Sequence, residues 1–156
     1  MTATTATRTR KTARKPLTEE QKAARAEARK ARIASMEAAV EEFELDEDDA
    51  RIMRAFESLT THYSEGNAML ILAQAAQLGL KVRGLADVGG YGAFQERGRQ
   101  VRKGEHQSLF VWARVERKNA DDTEAVKVIE EMVDGKKVRA IYVPQGLFHS
   151  SQTDAK

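Results

Sequence analysis

The sequence predicts an α+β fold in which N-terminal helices pack on a small, mainly antiparallel sheet, and three observations predict it. Residues 17–44 are crowded with Ala, Glu, Lys and Arg, the strongest helix formers. Two further segments, 48–60 and 64–79, repeat apolar residues at helical spacing. Downstream, SLFVWARV at 108–115 and VRAIYV at 138–143 carry the β-branched and aromatic residues of half-buried strands. A chain of 156 residues suits one core of ordinary size. With 32% charged against 41% hydrophobic residues, part of it is expected outside that core.

Taken in order, residues 1–16 are basic, low in complexity and without a large apolar anchor, which predicts a disordered arm. Residues 17–47 read as a charged, partly solvent-exposed helix. Thr18 and Gln21 suit a capping box at its start, and only Ile33, Met36, Val40 and Phe43 give it a core-facing side. The folded domain is expected over 48–153. A second helix from about Asp48 to Thr60 places acidic residues at its positive end and buries Ile52, Phe56 and Leu59. In YSEGNAMLILAQAAQLG, Ser64 is a good N-cap and Gly79 a C-cap. This helix is apolar on much of its circumference, which predicts a central place in the core. A short extended piece at Lys81–Leu85, a turn at Gly89-Gly90 and one or two helical turns at 91–98 follow. The strands 108–116 and 137–143 are expected to pair antiparallel, the second stopped by Pro144. The segment 119–137 reads as a variable insertion, either flexible or a short helix lined by Val126, Ile129, Met132 and Val133.

The formal net charge of +2 conceals two opposed blocks: residues 1–35 carry +7 and residues 36–62 carry −7. The basic block either attracts a polyanion or only keeps a tail solvated. No cysteine is present, so disulfides and thiolate chemistry are excluded. The N-terminus lacks a signal-type apolar region and AMLILAQAAQLGL at 68–80 is too short to span a bilayer, so no membrane partner and a cytoplasmic location are expected.

Catalysis finds little support. His62, His106 and His149 lie more than forty residues apart, and HExxH, GxSxG and phosphate-loop motifs are absent. The aspartates at 46, 48 and 49 lack the glycine and terminal glutamate of a calcium loop. No catalytic residue, metal or cofactor is therefore assigned. Nucleic-acid binding asks for less: a basic surface and flat side chains on which unpaired bases stack. The window 81–105 holds six Lys/Arg, namely Lys81, Arg83, Arg97, Arg99, Arg102 and Lys103, against three acids. Tyr63, Tyr91, Phe94, Trp112 and Tyr142 lie around it in sequence, with core packing the competing role for each. Asn67 and Gln152 either brace the fold or contact a ligand.

In this order, Tyr63-Ser64 with Asn67, the loop GRQVRKGE at 98–105, and Phe148, Gln152 and Thr153 resemble the N-terminal single-stranded-DNA-binding domain of ArdC-type antirestriction proteins of plasmids, phages and other mobile elements. The resemblance spans about 50–153, with GRQVRKGE its most specific piece. Gly84-Leu85 stands where that family has Gly-Phe, no tryptophan follows nearby, and His149 replaces an acidic residue. Larger members add a zinc metallopeptidase-like domain; without HExxH, nothing about hydrolysis carries over. The resemblance implies single-stranded DNA as partner. It places Arg99, Arg102 and Lys103 on a phosphate-facing loop, Tyr63 and Asn67 beside it, and Gln152 at the returning end. The alternative is a protein-interaction module that docks a partner through the helix at 17–45.

Overall fold

A computed structural model describes residues 15–115 and 127–156. Most of the arm expected at 1–16 and the first part of the segment 119–137 lie outside the described residues. The rest forms the predicted α+β fold. Helices α1 (Glu19–Glu42), α2 (Ala50–Thr60) and α3 (Glu65–Leu78) precede strand β1 (Val88–Gly89), helix α4 (Tyr91–Glu96) and strand β2 (Arg99–Val101). Strands β3 (Leu109–Val115), β4 (Lys127–Val133), β5 (Lys136–His149) and β6 (Thr153–Ala155) complete it. All pairings are antiparallel: β5 joins β3, β4 and β1, while β2 and β6 form a separate two-stranded clip.

The helix ends form as their sequences dictate. Thr18 and Gln21 bond reciprocally at 3.1 Å, Asp49 accepts from Arg51 N–H at 2.9 Å, and Ser64 Oγ accepts from Asn67 N–H at 3.2 Å. Gly79 closes α3 with φ 67°, a conformation that costs a side chain strain. Helix α1 buries Met36 and Ala39, whereas Val40 stays 38% exposed, so its inner stripe is narrower than the apolar pattern implies. Every residue from Leu70 to Ala75 is buried, which makes α3 the central helix. Leu59 and Ala55 of α2, Ile71 and Leu72 of α3, and Val88, Leu109, Val111 and Leu147 of the sheet share one core. The piece Lys81–Leu85 joins neither sheet and instead wraps past α2 into a short 3-10 turn at Leu85–Asp87.

Two sequence expectations change at β4 and β5. The segment 119–137 contains no helix among its described residues; Lys127–Val133 is a strand that pairs with β5 through Val133 and Lys136. The missed signal is Asp134-Gly135, whose φ values of 52° and 75° suit a two-residue hairpin turn that matches the natural strand twist. The strand β5 also runs straight through Pro144. Its register partner Trp112 directs its backbone N–H and C=O away from β5, to the Asn67 amide. Pro144 therefore sits in a non-hydrogen-bonded pair, with its nitrogen facing the gap between β4 and β1, and its missing N–H removes no ladder bond.

Gly84 illustrates how tightly the Lys81–Leu85 wrap is set. A Cβ there would lie 2.6 Å from Ser58 Oγ and 3.1 Å from Ser58 Cβ, and that same hydroxyl accepts from Leu85 N–H at 2.9 Å. Gly84→Ala is expected to displace the hydroxyl and cost about 1–3 kcal/mol. Urea unfolding of the variant checks this; an unchanged midpoint would show that the wrap gives way freely.

Candidate nucleic-acid interface

The 3-10 turn Ser150–Gln152 is the hub at which the distant basic segments meet. His149, buried, starts it. Its Nε2 lies 2.7 Å from Lys81 O and so carries the ring proton, which leaves Nδ1 to accept from Ser151 N–H at 3.1 Å and from Ser151 Oγ at 2.8 Å. An imidazole nitrogen thus performs the capping task open to a carboxylate at this position. Asp87 accepts from Arg83 N–H at 2.8 Å and from Ser150 Oγ at 3.1 Å, so the 81–87 segment is tied to the turn twice. Gln152 is fully engaged: its oxygen accepts from His149 N–H and Ser108 Oγ, and its nitrogen donates to His106 O at 2.6 Å and Glu105 Oε2 at 3.2 Å.

The GRQVRKGE loop is fastened to the same turn. Arg99 donates through Nε to Thr153 Oγ1 at 2.7 Å and through Nη2 to Thr153 O at 3.0 Å. Arg102 donates to Ser151 O at 2.6 Å and to the carboxylates of Asp154 and Glu105, each at 3.2 Å. Those bonds, to Asp154 first and then Glu105, raise the Arg102 pKa above its usual value. The Gln152 amide, with Arg102 second, holds Glu105 below the usual carboxylate range. Arg99 and Arg102 are therefore both engaged by acceptors of the 150–154 segment, closing the β2–β6 clip, although the Arg102 side chain stays exposed. Lys103 is exposed at the turn beside Gly104, whose φ of 86° bends the backbone sharply. A cavity of about 610 Å³ opens here, lined by Lys103, Arg102, Tyr91 and Phe148 with Glu105 and Asp154. Tyr91 is 52% exposed, and its hydroxyl accepts from Gln100 Nε2 at 2.9 Å.

The remaining predicted site residues lie elsewhere on the surface. Arg97 donates to Val88 O at 2.8 Å and Ala86 O at 3.2 Å, with its guanidinium 5.1 Å over the buried Phe94 ring. Tyr63 is half-buried; burial raises its pKa and the Arg97 charge opposes the shift. Asn67 braces β3: its Nδ2 donates to Trp112 O and its Oδ1 accepts from Trp112 N–H, both at 2.9 Å. Trp112 lines a different cavity, of about 530 Å³, with Tyr142 and with Glu37 and Glu41 of α1. Those two carboxylates repel phosphate, which separates Trp112 from the basic surface. Lys81 and Arg83 are exposed and share a cavity with Arg51 and Arg54, two residues that sequence reasoning passed over although their i, i+3 spacing on α2 puts them on one face.

Among the described residues, no three His, Cys, Asp or Glu side chains are grouped to hold a metal, and no helix is long and apolar enough to cross a membrane. Comparison with curated proteins and with solved structures gives no match. The family model for the N-terminal domain of anti-restriction factor ArdC matches residues 24–143, from within α1 into β5, which is most of the chain. The chain belongs to the family of ArdC N-terminal domains.

Proposed function

We propose that this domain binds single-stranded DNA without catalysing a reaction and with little sequence preference, in antirestriction or in maintaining the DNA of a mobile element. Family membership supports the reading, and the observation that carries it is the cavity shared by exposed Lys103 and half-exposed Tyr91. An ammonium meets a phosphate there while an unpaired base stacks on the phenol ring, an arrangement closed to a base held in a duplex. Arg99, Arg102 and Gln152 act as positioning residues that hold the loop in one shape.

A fluorescence-anisotropy titration tests this. A single-stranded oligonucleotide is expected to bind more tightly than its duplex, with affinity falling steeply as salt rises. Lys103→Gln, which removes no bond of the fold, is expected to flatten the salt dependence by roughly 0.7 in log–log slope, the share of one single-strand phosphate contact. Equal affinity for both forms, or none for either at low salt, overturns the reading.

A second reading is favoured by the Trp112 cavity. Its apolar lining of Met36, Val40 and Leu70 beneath Glu37 and Glu41 suits a protein segment bearing basic and apolar side chains, docked on α1. Light scattering after size exclusion tests the self-association form of this reading: a stable oligomer without nucleic acid supports it, and a monomer at all concentrations removes it.

A further inference from the structure

Several cations of this fold are paired with acids. Arg102 pairs with Glu105 and Asp154, Arg114 with Glu131, and Lys22 with Glu19. Around one cavity of about 620 Å³, by contrast, Arg51, Arg54, Lys81 and Arg83 converge, and among the described residues no ion pair engages any of them. Asp49 is the one acid in that lining, and it and Asp87, past the wrap, each hold backbone N–H groups instead of a guanidinium or ammonium. The Asp49 carboxylate accepts from Arg51 N–H at the cap of α2, and Asp87 accepts from the Arg83 backbone and from Ser150 Oγ. Arg54 Nε donates to Ala50 O at 3.1 Å, which steadies its guanidinium.

The two walls arise from two periodicities. On α2, residues 51 and 54 are one turn apart. In the wrap after α3, Lys81 and Arg83 flank Val82, which packs against the core, so the two cations are exposed while the residue between them is drawn inward. Ile52, Leu72 and Val82 give the cavity an apolar lining between those walls. Four cations against the single Asp49 carboxylate leave a net positive charge around one space, which favours an anion seated among them. An apolar surface next to the cations adds room for a flat ring rather than for a fully hydrated ion.

We propose that the cavity between the first turn of α2 and the Lys81–Arg83 wrap is a nucleotide site, in which Arg51, Arg54, Lys81 and Arg83 hold phosphate and Ile52, Leu72 and Val82 take the base. The site deepens the single-strand reading and rests on it for the identity of its ligand, as a second contact point beyond the Tyr91–Lys103 cavity. His149 and Asp87 connect the two regions through the Ser150–Gln152 turn.

Thymidine 3′,5′-bisphosphate, titrated into the full chain with the methyl groups of Ile52, Leu72 and Val82 followed by NMR, tests the site without recourse to an oligonucleotide. Saturable shifts of those methyls are expected. Arg51→Gln with Arg54→Gln is expected to weaken them about tenfold or more, the scale of two lost charge-assisted bonds. Lys81→Gln with Arg83→Gln, on the opposite wall, is expected to do the same and serves if the α2 variant fails to fold. Absent shifts, or shifts unchanged in either folded double variant, overturn the proposal. Inorganic pyrophosphate shifting the same methyls equally well also overturns it, since the lining then takes no base. The oligonucleotide titration decides the single-strand reading separately, because a bisphosphate that binds leaves the proposal standing even if no strand does.

Discussion

Gln74→Leu is expected to lower the stability of the fold by roughly 2–4 kcal/mol, the cost of leaving a backbone N–H and a C=O without partners. Gln74 is buried on α3, where its Nε2 donates to Phe110 O at 2.7 Å and to Leu70 O at 2.9 Å, and its Oε1 accepts from Phe110 N–H at 3.0 Å. Asn67, two turns earlier, grips Trp112 in the same way. Among the described residues no strand lies beside the outer edge of β3, and these two amides stand in for the neighbour that a sheet edge lacks. Leucine keeps the volume of glutamine and the helix propensity of the site, so the loss reads the hydrogen bonds and not a cavity. A urea titration with unchanged slope and a lowered midpoint is the expected result. Asn67→Asp provides the matched check, since a carboxylate still accepts from Trp112 N–H but cannot donate to Trp112 O. If both variants unfold with the parent, the edge is satisfied by water and the amides are incidental.

These amides also show where sequence reasoning stops. The helices were legible because capping and apolar spacing are local: Thr18 with Gln21, Ser64 with Asn67 N–H, and Gly79 can each be read within one turn. The antiparallel sense of the β3–β5 pairing was legible from alternation, but its register was not: β3 lies against Ile141–Leu147, only partly within the expected 137–143, most of which pairs with β4. Asn67 and Gln74 were not legible as a pair, since their common task appears only when β3, some forty residues away, is laid along α3. The same holds for the basic residues. Counting charges in the window 81–105 treats Arg102 and Lys103 alike, but Asp154 and Ser151, fifty residues on, engage the first and not the second. The hairpin at Asp134-Gly135 was different, a local signal outweighed by the helical spacing of Val126, Ile129 and Val133. Pro144 failed as a stop for a reason of register, which no single-strand pattern contains.

Arg102→Gln is expected to weaken single-stranded DNA binding although the Arg102 guanidinium is already engaged by Ser151 O, Glu105 and Asp154. The cavity holding Lys103 and Tyr91 contains two cations and two carboxylates. Removing Arg102 leaves Glu105 and Asp154 unbalanced beside Lys103, and phosphate is repelled. The triple variant Arg102→Gln, Glu105→Gln, Asp154→Asn separates neutralisation from contact. If Arg102 acts by balancing its neighbours, the triple variant recovers the affinity and the salt slope of the parent; if Arg102 touches phosphate, the slope stays reduced by roughly 0.7. Acid offers an independent handle. Glu105 has a lowered pKa in the fold, so its bonds to Gln152 and Arg102 contribute fully above the usual glutamate range and are lost as pH falls through the lowered value. Parent protein is therefore expected to lose this part of its stability on acidification, while Glu105→Gln, which has no proton to take up there, loses none from this site. Thermal unfolding of the two across that acid range measures the difference, and parallel curves would show that the Glu105 carboxylate adds nothing to the hold on the clip.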